Sequence, residues 1–469
     1  MELKIVTNSE FLPDFMDVVR AFSPNIIFDE NQTENVISIN LKKDDKSDII
    51  QLDFKQKHFE NRGYFGDLPQ IKQKSELKRL AKIMLYDILS DITKTTLPYG
   101  SLTGIRPTKL YHELLESGKD AYEYFTKHLR VPEEGANWIK RICGNQQKIY
   151  SHNDNEVDFF VNIPICLSRC SYCSFISAEY GKIKKWITPY VVQLVREIEF
   201  SAKLIEELGV KVRAIYVGGG TPTSLCEYDF AKVIGAISKI DCDEFTVEAG
   251  RPDTITVDKL KIMAENKVSR ISINPQTFND KTLALIGRNH SSEDIFKVYG
   301  EARKFDFDIN MDLIAMLPQE SFEDFCYSVD KAIVLAPDNI TVHTLAIKKG
   351  SNLKLADYDN KIEILPKQMI DYSKKTIISS GFEPYYMYRQ KYMSGNLDNT
   401  GYAKPGKACV YNVDIMEETH SIIACGAGAI SKRVWNAENR LERLANPKGI
   451  DVYLQREAKL LADKKIFFG

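Results

Sequence analysis

The sequence predicts an α/β fold with a central parallel sheet, and two observations carry this prediction. From residue 158 onward, short β-rich runs alternate with amphipathic segments of helix length, which is typical of parallel strands joined by helices. Polar and glycine residues stand near the carboxyl ends of these runs, where both open doubly wound sheets and (β/α) barrels collect their chemistry. The pattern alone is compatible with either architecture.

Six β-rich runs make up the predicted sheet. In chain order they read DFFVNIPI, VRAIYVGG, EFTVEAG, RISINPQ, INMDLIAML and NITVHTLAI. The polar residues near their ends are Cys166, the segment from Gly218 to Thr221, Glu248, Gln276 and Asp312. We therefore expect the functional site where these residues meet, at one edge of the sheet.

The chain is long enough for several domains, and three are predicted. Residues 1–150 combine the apolar runs LKIV, NIIF and VISINL with a helical pattern from Ser75 to Ile92, which indicates a small α/β domain. The polar segment QQKIYSHNDNEV marks its end. Residues 151–350 hold the six runs, and residues 351–469 are expected to cover the mouth of the sheet or barrel and to help form a substrate cavity.

Composition argues against several classes of protein. The 469 residues carry a formal net charge of −2, which gives no general electrostatic reason to bind nucleic acid or an anionic membrane. The first residues, MELKIVTNSEFLPDF, do not read as a secretory signal. No window approaches the roughly 18 apolar residues of a spanning helix. We expect a cytoplasmic protein without a membrane span.

Three of the nine cysteines lie within eight residues: Cys166, Cys170 and Cys173. An odd number of cysteines in a cytosolic chain argues against a disulfide framework. Three thiolates on one loop can hold an iron–sulfur cubane, and since a cubane has four irons, one iron then stays open for a ligand. A structural zinc site is the alternative, although it requires a fourth protein ligand.

The cysteine loop and several later motifs resemble a known family. The Cys-x3-Cys-x2-Cys loop with Tyr172, together with GGGTPT from Gly218, is similar to the radical S-adenosylmethionine (SAM) superfamily. The resemblance to the oxygen-independent coproporphyrinogen dehydrogenases, and to their HemZ-type branch, rests on further segments. These are LTGIRPTKL, EAGRPDTIT, RISINPQTF, IGRNH, MDLIAMLP and YYMYRQKYMSGNLDNTGYAKPG.

This resemblance implies a partial (β/α)6 radical SAM barrel that binds a [4Fe-4S] cluster and SAM. Cys166, Cys170 and Cys173 would be the catalytic cluster ligands. By family correspondence, the positions that contact SAM are Phe160, Tyr172, Gly218, Gly219, Gly220, Thr221, Glu248, Gln276, Arg288, Asp312, Ala346 and Ile430. Among them, Arg288 suits a carboxylate and the glycines allow a close approach of the backbone.

The implied reaction is the oxidative decarboxylation of two propionates of coproporphyrinogen III, which gives protoporphyrinogen IX. The implied partners are this tetrapyrrole and a reductase or flavodoxin-type electron donor. Because the substrate carries four carboxylates, basic residues in the family-like segments are candidates for binding it. They are Arg389, Lys391, Arg106, Lys109 and Arg251.

One residue departs from the pattern of the decarboxylating members. Those proteins carry a further cysteine two positions after the third cluster ligand, where this chain has Phe175. The heme-chaperone branch also has Phe there. Two alternatives therefore stay open beside the dehydrogenase: a heme-binding chaperone and a radical SAM enzyme that acts on another tetrapyrrole. Cys425 is the one other cysteine to inspect for proximity to the site, and His290 and His343 are expected to be hydrogen-bonded core or rim residues.

Overall fold

The computed structural model describes residues 1–23, 25–44, 47–66, 70–104, 106–175, 178–346, 365–390, 394–438 and 440–469. The chain divides into two compact units. The smaller unit comprises Met1–Arg141 with Arg389–Lys391, and the larger comprises Ile142–Tyr388 with Tyr392–Gly469. The sequence predicts three domains, whereas the C-terminal region here belongs to the same unit as the six β-rich runs.

The smaller unit is a mixed sheet covered by helices, as the apolar runs predict. Its strands are β1 (Glu2–Thr7), β2 (Ile27–Phe28), β3 (Val36–Lys43), β4 (Asp48–Phe54) and β5 (Lys57–Gly63), in the order β2-β1-β3-β4-β5. Its helices are α1 (Leu12–Ala21), α2 (Gln70–Thr93), α3 (Pro107–Glu116), α4 (Ala121–Glu123) and α5 (Glu133–Gln146), the last of which ends in the larger unit. Apolar residues of β1, β3 and β4 pack with α1 and α2 in one core.

The larger unit contains the six expected parallel strands, side by side in chain order. They are β6 (Glu156–Ile163), β9 (Lys211–Gly219), β10 (Cys242–Gly250), β11 (Arg270–Ile273), β12 (Asp308–Ala315) and β13 (Asn339–Thr344). Each pairs with the next in parallel. This sequential order confirms the partial (β/α)6 barrel, since an open doubly wound sheet reverses its strand order at a switch point.

Further strands extend the sheet beyond both ends of this set. Beyond β13 lie β15 (Asn399–Ala403) and β14 (Glu383–Tyr388), which are antiparallel to their neighbours. Beyond β6 lie β16 (Ser421–Cys425), β17 (Ile430–Trp435) and β18 (Arg440–Ala445), and β16 is parallel to β6. A short pair, β7 (Ile165–Cys166) and β8 (Ala178–Glu179), flanks the thiol loop. The C-terminal region therefore completes the sheet and does more than cover it.

Helices connect the strands and bury their apolar faces. They are α6 (Tyr180–Leu208), α7 (Glu227–Ile237), α8 (Val257–Glu265), α9 (Asp280–Leu285), α10 (Ser292–Ala302), α11 (Phe322–Leu335), α12 (Leu365–Ser379), α13 (Val410–Glu417), α14 (Ile450–Gln455) and α15 (Glu457–Phe468). Ser291 and Ser321 begin α10 and α11 with capping boxes, which satisfy the first amides of each helix. None of the helices built from the described residues combines the length and apolar character that crossing a bilayer requires.

A buried ion pair fastens the last helix to the barrel. Lys464 of α15 and Glu197 of α6 are both buried, and their Nζ and Oε1 atoms lie 2.7 Å apart. The Lys464 ammonium also donates to Ser201 Oγ at 3.1 Å and to the carbonyl of Ala424 at 2.9 Å. Burial alone would raise the pKa of Glu197, but Lys464 lowers it below its usual value. Both groups are therefore charged at neutral pH.

Replacement of this lysine should destabilise the protein strongly. In Lys464→Met the apolar stem is kept, but the Glu197 carboxylate stays buried without its cation, which typically costs about 3–5 kcal/mol. The neighbouring Lys465 pairs with Glu207 on the surface at 2.9 Å, and Lys465→Met should cost less than about 1 kcal/mol. Urea unfolding followed by circular dichroism measures both. Equal effects of the two substitutions would contradict the role given to Lys464.

Candidate active site

The three clustered thiols lie on the loop that follows β6. None of them forms a disulfide. Burial raises the pKa of the Cys173 thiol, and the neighbouring Cys170 and Cys166 raise it further, which places the three sulfur atoms in one electrostatic environment. The Cys173 amide donates to the carbonyl of Cys170 at 3.1 Å, so the loop turns back on itself. The fold therefore presents three thiols from one short segment.

The glycine-rich segment after β9 packs against the start of the thiol loop. The Gly220 amide donates to the carbonyl of Ile163 at 2.9 Å, and the Thr221 amide donates to that of Ile165 at 2.8 Å. A Cβ atom on Gly220 would meet the backbone of Ile165 at 2.6 Å. The Thr221 hydroxyl donates to Cys166 Sγ at 3.5 Å. The role of Gly220 seen here is thus a close approach to the thiol loop.

Two arginines hold the same loop from other sides. Arg251 forms a bidentate pair with Asp253 at 2.9 and 2.7 Å and donates to Ser168 Oγ at 2.8 Å. Arg288 donates to the Tyr172 hydroxyl at 3.3 Å and to the carbonyl of Asn274 at 2.5 Å. Arg251 therefore anchors the loop through Ser168.

Arg288 is buried beside the thiols. Burial alone would lower the pKa of its guanidinium, but Tyr172 and Cys170 beside it raise the pKa above its ordinary value. A permanent cation therefore lies next to the thiol loop. His290, two residues later, is buried too, and burial together with Arg288 lowers its pKa to about 4. The imidazole is neutral at physiological pH, which leaves Arg288 as the charged group of this segment.

Polar side chains occupy alternate positions of the barrel strands, where parallel strands usually carry apolar residues. On β9 and β10, the Tyr216 hydroxyl donates to Glu248 Oε1 at 2.5 Å, and the Gly219 amide donates to Oε2 at 3.3 Å. On β12, Asn310 donates to Asp312 Oδ1 at 2.8 Å. The barrel strands therefore share one polar face that reaches the thiol loop.

His343 and Tyr388 complete this face. His343 Nε2 lies 3.6 Å from Asp312 Oδ2, and the Tyr388 hydroxyl lies 3.1 Å from His343 Nδ1. Burial would raise the pKa of Asp312, but His343 lowers it below its usual value. Glu248 has the opposite shift, since burial raises its pKa to about 7 despite the Tyr216 hydrogen bond. Asp312 is thus charged at neutral pH, while Glu248 titrates there.

Gln276 has an unusual backbone conformation, and hydrogen bonds to β12 hold it in place. Its φ of 70° lies in the left-handed region, which non-glycine residues adopt rarely. Its amide donates to the carbonyl of Asp312 at 2.9 Å, and its own carbonyl accepts from the Ile314 amide at 2.9 Å. Residues with such strained backbone conformations are common at functional sites. The side chain of Gln276 is buried, which agrees with its expected place in the site.

The remaining residues expected to contact SAM have varied surroundings. Phe160 stacks with Tyr216 and Tyr411 at ring-centroid distances of 6.3 and 6.1 Å. Ala346 is half-buried just after β13, and Ile430 begins β17 with 43% of its surface exposed. Phe160 therefore shares the polar face with Tyr216, and the SAM contacts expected of Ala346 and Ile430 stay predictions.

The basic residues proposed for the substrate divide between the units. Arg106 precedes α3 in the smaller unit. Arg389 is grouped with that unit as well, where it donates to the carbonyl of Leu102 at 2.5 Å and lies over the Tyr99 ring at 4.6 Å. Lys391 lies outside the described residues. The role of these residues in substrate binding stays a prediction.

Cys425 and Phe175, which are not among the predicted cofactor ligands, have the following surroundings. Cys425 of β16 lies 3.4 Å from Lys464 Nζ and 3.2 Å from Ser201 Oγ, so its thiol belongs to the anchor of α15. Phe175, at the position where decarboxylating members have cysteine, is 69% exposed. Tyr216, Asn310 and Tyr388 were not singled out from sequence. Polar residues at every second position of the strand runs are the signal that indicates them.

The residues around the thiol loop fit the cofactors that the sequence implies. Several of the buried polar atoms that lack a hydrogen-bonding partner among the described residues lie in this region, and they include Gln276 Oε1, Arg288 Nε, Asn274 Oδ1 and Ser171 Oγ. Both ring nitrogens of His290 also lack such a partner, so the expectation that this histidine is hydrogen-bonded is wrong. Buried polar groups are nearly always satisfied, and the amine, carboxylate and hydroxyl groups of SAM would supply such partners. Within the described ranges no three His, Cys, Asp or Glu side chains converge on a single metal ion; in a cubane, by contrast, each thiolate binds a different iron.

Comparison with known proteins agrees with this site. Residues 162–332 match the family model of the radical SAM superfamily. The chain is 34% identical to the oxygen-independent coproporphyrinogen-III oxidase-like protein HemZ of Bacillus subtilis, over 91% of this chain and 89% of that protein. It is 33% identical to the heme chaperone HemW of the same organism, over 40% of this chain and 50% of that one.

A solved structure supports the fold. Coproporphyrinogen III oxidase (HemN) from Escherichia coli, described as a radical SAM enzyme, superposes with a TM-score of 0.53. The match covers 68% of this chain and 72% of that one, with 20% sequence identity. At this identity the likeness concerns the fold alone.

Replacement of any one of the three clustered cysteines should abolish cluster binding. The iron content should fall from about four irons per chain to a small fraction of that in each of the variants Cys166→Ala, Cys170→Ala and Cys173→Ala, because a cubane needs all three thiolates here. Cys226→Ala, which removes an exposed cysteine, should keep its iron. Iron and sulfide assays with Mössbauer spectra after anaerobic reconstitution measure this. A complete cubane in any of the three variants would falsify the ligand assignment.

Glu248 should make the free energy of unfolding fall as pH rises. Its folded pKa of about 7 exceeds the usual 4.5, so the folded state holds the proton more tightly, and stability is lost as pH rises from about 4.5 to 7. Glu248→Gln should remove about 2–3 kcal/mol of this pH dependence. Urea unfolding at pH 5 and pH 8 measures it, with the exposed Glu199→Gln as control. The same slope in wild type and Glu248→Gln would contradict the shift.

Proposed function

Because this chain belongs to the family of oxygen-independent coproporphyrinogen III oxidase-like proteins within the radical SAM superfamily, we propose that it decarboxylates coproporphyrinogen III to protoporphyrinogen IX. The observation that carries this proposal is the loop of three thiols, in a chain similar to HemZ along nearly its whole length. In this proposal the protein acts in the cytoplasm, in porphyrin and heme biosynthesis.

The reaction fixes what the site must do. Each propionate that becomes a vinyl group loses one hydrogen atom, one electron and one CO2. When bound, the [4Fe-4S] cluster and SAM supply the one-electron chemistry that removes the hydrogen atom. A reductase or flavodoxin-type protein is the proposed electron donor. The protein itself has to hold these groups, orient the substrate and exclude water.

Residues around the loop have chemistry suited to these tasks. Cys166, Cys170 and Cys173 would hold three irons. Arg288 offers a buried cation to the carboxylate of SAM, and Gln276 offers a buried amide oxygen to its amine. On the polar face, Glu248 and Asp312 are the acceptors for ribose hydroxyls or an ammonium group. His343 keeps Asp312 ionised, so that acceptor is available throughout the neutral range.

The four carboxylates of the substrate require basic partners other than the residues that would hold the cluster and SAM. Arg389 and Arg106 are the described candidates, and Lys391 is a further one. We leave Arg251 out, because Asp253 and Ser168 already take its donors.

A heme chaperone is the second candidate function. It is favoured by Phe175, which stands where decarboxylating members have cysteine, and by the similarity to HemW over part of the chain. A radical SAM enzyme for another tetrapyrrole is the third. All three keep the cluster, so the cluster alone does not separate them.

One anaerobic experiment separates these functions. Reconstituted, reduced protein is incubated with SAM and coproporphyrinogen III, and 5′-deoxyadenosine, CO2 and porphyrins are quantified by chromatography. The dehydrogenase should form two 5′-deoxyadenosine and two CO2 for each protoporphyrinogen, and Cys170→Ala should form none. Nucleoside without a vinyl product would reject coproporphyrinogen as substrate. Stoichiometric heme binding with intact SAM would favour the chaperone.

A further inference from the structure

The smaller unit contains a cavity that is lined in part by Arg106, one of the candidates for the substrate carboxylates. Its volume is about 260 Å³, and it lies among α2, α3 and the segment before α3. Nine of the fourteen lining residues are polar or charged, among them Lys78, Arg79, Lys82, Thr103, Arg106 and Lys109. A cavity of this size accommodates a small ligand and excludes a macromolecule.

Positive charge dominates this lining, with five cationic side chains against the single carboxylate of Glu113. Two of these cations form ion pairs with carboxylates that do not line the cavity. Lys78 pairs with Asp14 at 3.2 Å, and Arg79 pairs with Glu76 at 2.5 Å and donates to the Tyr124 hydroxyl at 3.4 Å. Such pairs orient these two cations beside the cavity.

Lys82 is the most informative of these cations. It is half-buried, and its ammonium donates to the hydroxyl of Thr103, which also lines the cavity. Burial lowers the pKa of Lys82 to about 8, even though Asp14 raises it. A lysine that has lost part of its hydration without gaining a carboxylate at hydrogen-bonding distance is stabilised by an anion beside it.

The start of α3 adds a third source of positive potential. The helix runs over ten residues from Pro107, and Arg106 at its N-cap makes no capping hydrogen bond with its side chain. The positive end of the helix dipole therefore lies where Arg106 and Pro107 line the cavity. Side-chain cations and the helix terminus favour the same kind of ligand.

We propose that this cavity binds a small molecule that carries two or more adjacent oxyanion groups, either phosphates or carboxylates. With a phosphate ligand the inference goes beyond the proposed function; with a carboxylate ligand it rests on that function, because Arg106 is a candidate for binding the substrate. Arginine matches both phosphate and carboxylate geometry, and lysine adds a point charge to either. The two sources of such a ligand are a phosphorylated metabolite and the propionates of a tetrapyrrole.

Calorimetric titration of the full-length protein tests this proposal, with inorganic pyrophosphate in one arm and coproporphyrin III in the other. Lys82→Met keeps the stem and removes the charge, and Arg106→Gln removes a second cation. At least one ligand should bind, and each substitution should weaken that ligand at least tenfold. Lys94→Met, which alters an exposed lysine of the same unit, should leave the affinity unchanged. Binding should also weaken from pH 7 to pH 9, as Lys82 loses its proton.

Each outcome either identifies the kind of anion that binds or overturns the proposal. Pyrophosphate binding that depends on Lys82 and Arg106 identifies phosphate as the source. Coproporphyrin binding with the same dependence, and its loss with the tetramethyl ester, identifies carboxylates. If neither ligand binds, or if Lys94→Met weakens binding as much as the other two, the proposal is overturned. Should Lys82→Met fail to fold, Arg106→Gln decides. Since no SAM is cleaved in this experiment, its result is independent of the proposed reaction.

Discussion

The close packing of the glycine-rich segment on the thiol loop is the constraint on which the rest of the site depends. Gly220 and Thr221 donate backbone hydrogen bonds to Ile163 and Ile165, and these bonds fix where the loop leaves β6. Any side chain at position 220 would collide with the Ile165 backbone. Because the first thiol follows Ile165 directly, these backbone hydrogen bonds also set the position of Cys166.

The middle of the loop depends on charge as well as on backbone contacts. Thiolates concentrate negative charge, and a buried site tolerates it only beside a compensating cation. Arg288 supplies that cation next to Cys170, and its contact with Tyr172 ties it to the loop. Arg251 anchors Ser168 while Asp253 neutralises its charge. One arginine therefore balances the thiols, and the other restrains the chain.

Sequence predicts the large features of this molecule and not its finer ones. Six β-rich runs and the spacing of three cysteines predict the parallel sheet and the thiol loop, because both are local patterns, whereas the choice of a barrel comes from the family resemblance. The pairing of β16 with β6 could not be seen, since it joins segments some 260 residues apart. The contact between Arg251 and Ser168 could not be seen for the same reason, since the two residues lie 83 positions apart in the chain.

The two carboxylates of the polar face show how the fold assigns different charges to similar groups. Burial opposes ionisation in both. At Asp312 the imidazole of His343 overcomes that effect, whereas at Glu248 a neutral hydroxyl from Tyr216 does not, and the nearby Asp312 raises the pKa further. A ligand with an ammonium group would therefore meet a fixed charge at Asp312 and would draw a proton out of Glu248. Such a ligand would bring the positive charge that compensates both carboxylates.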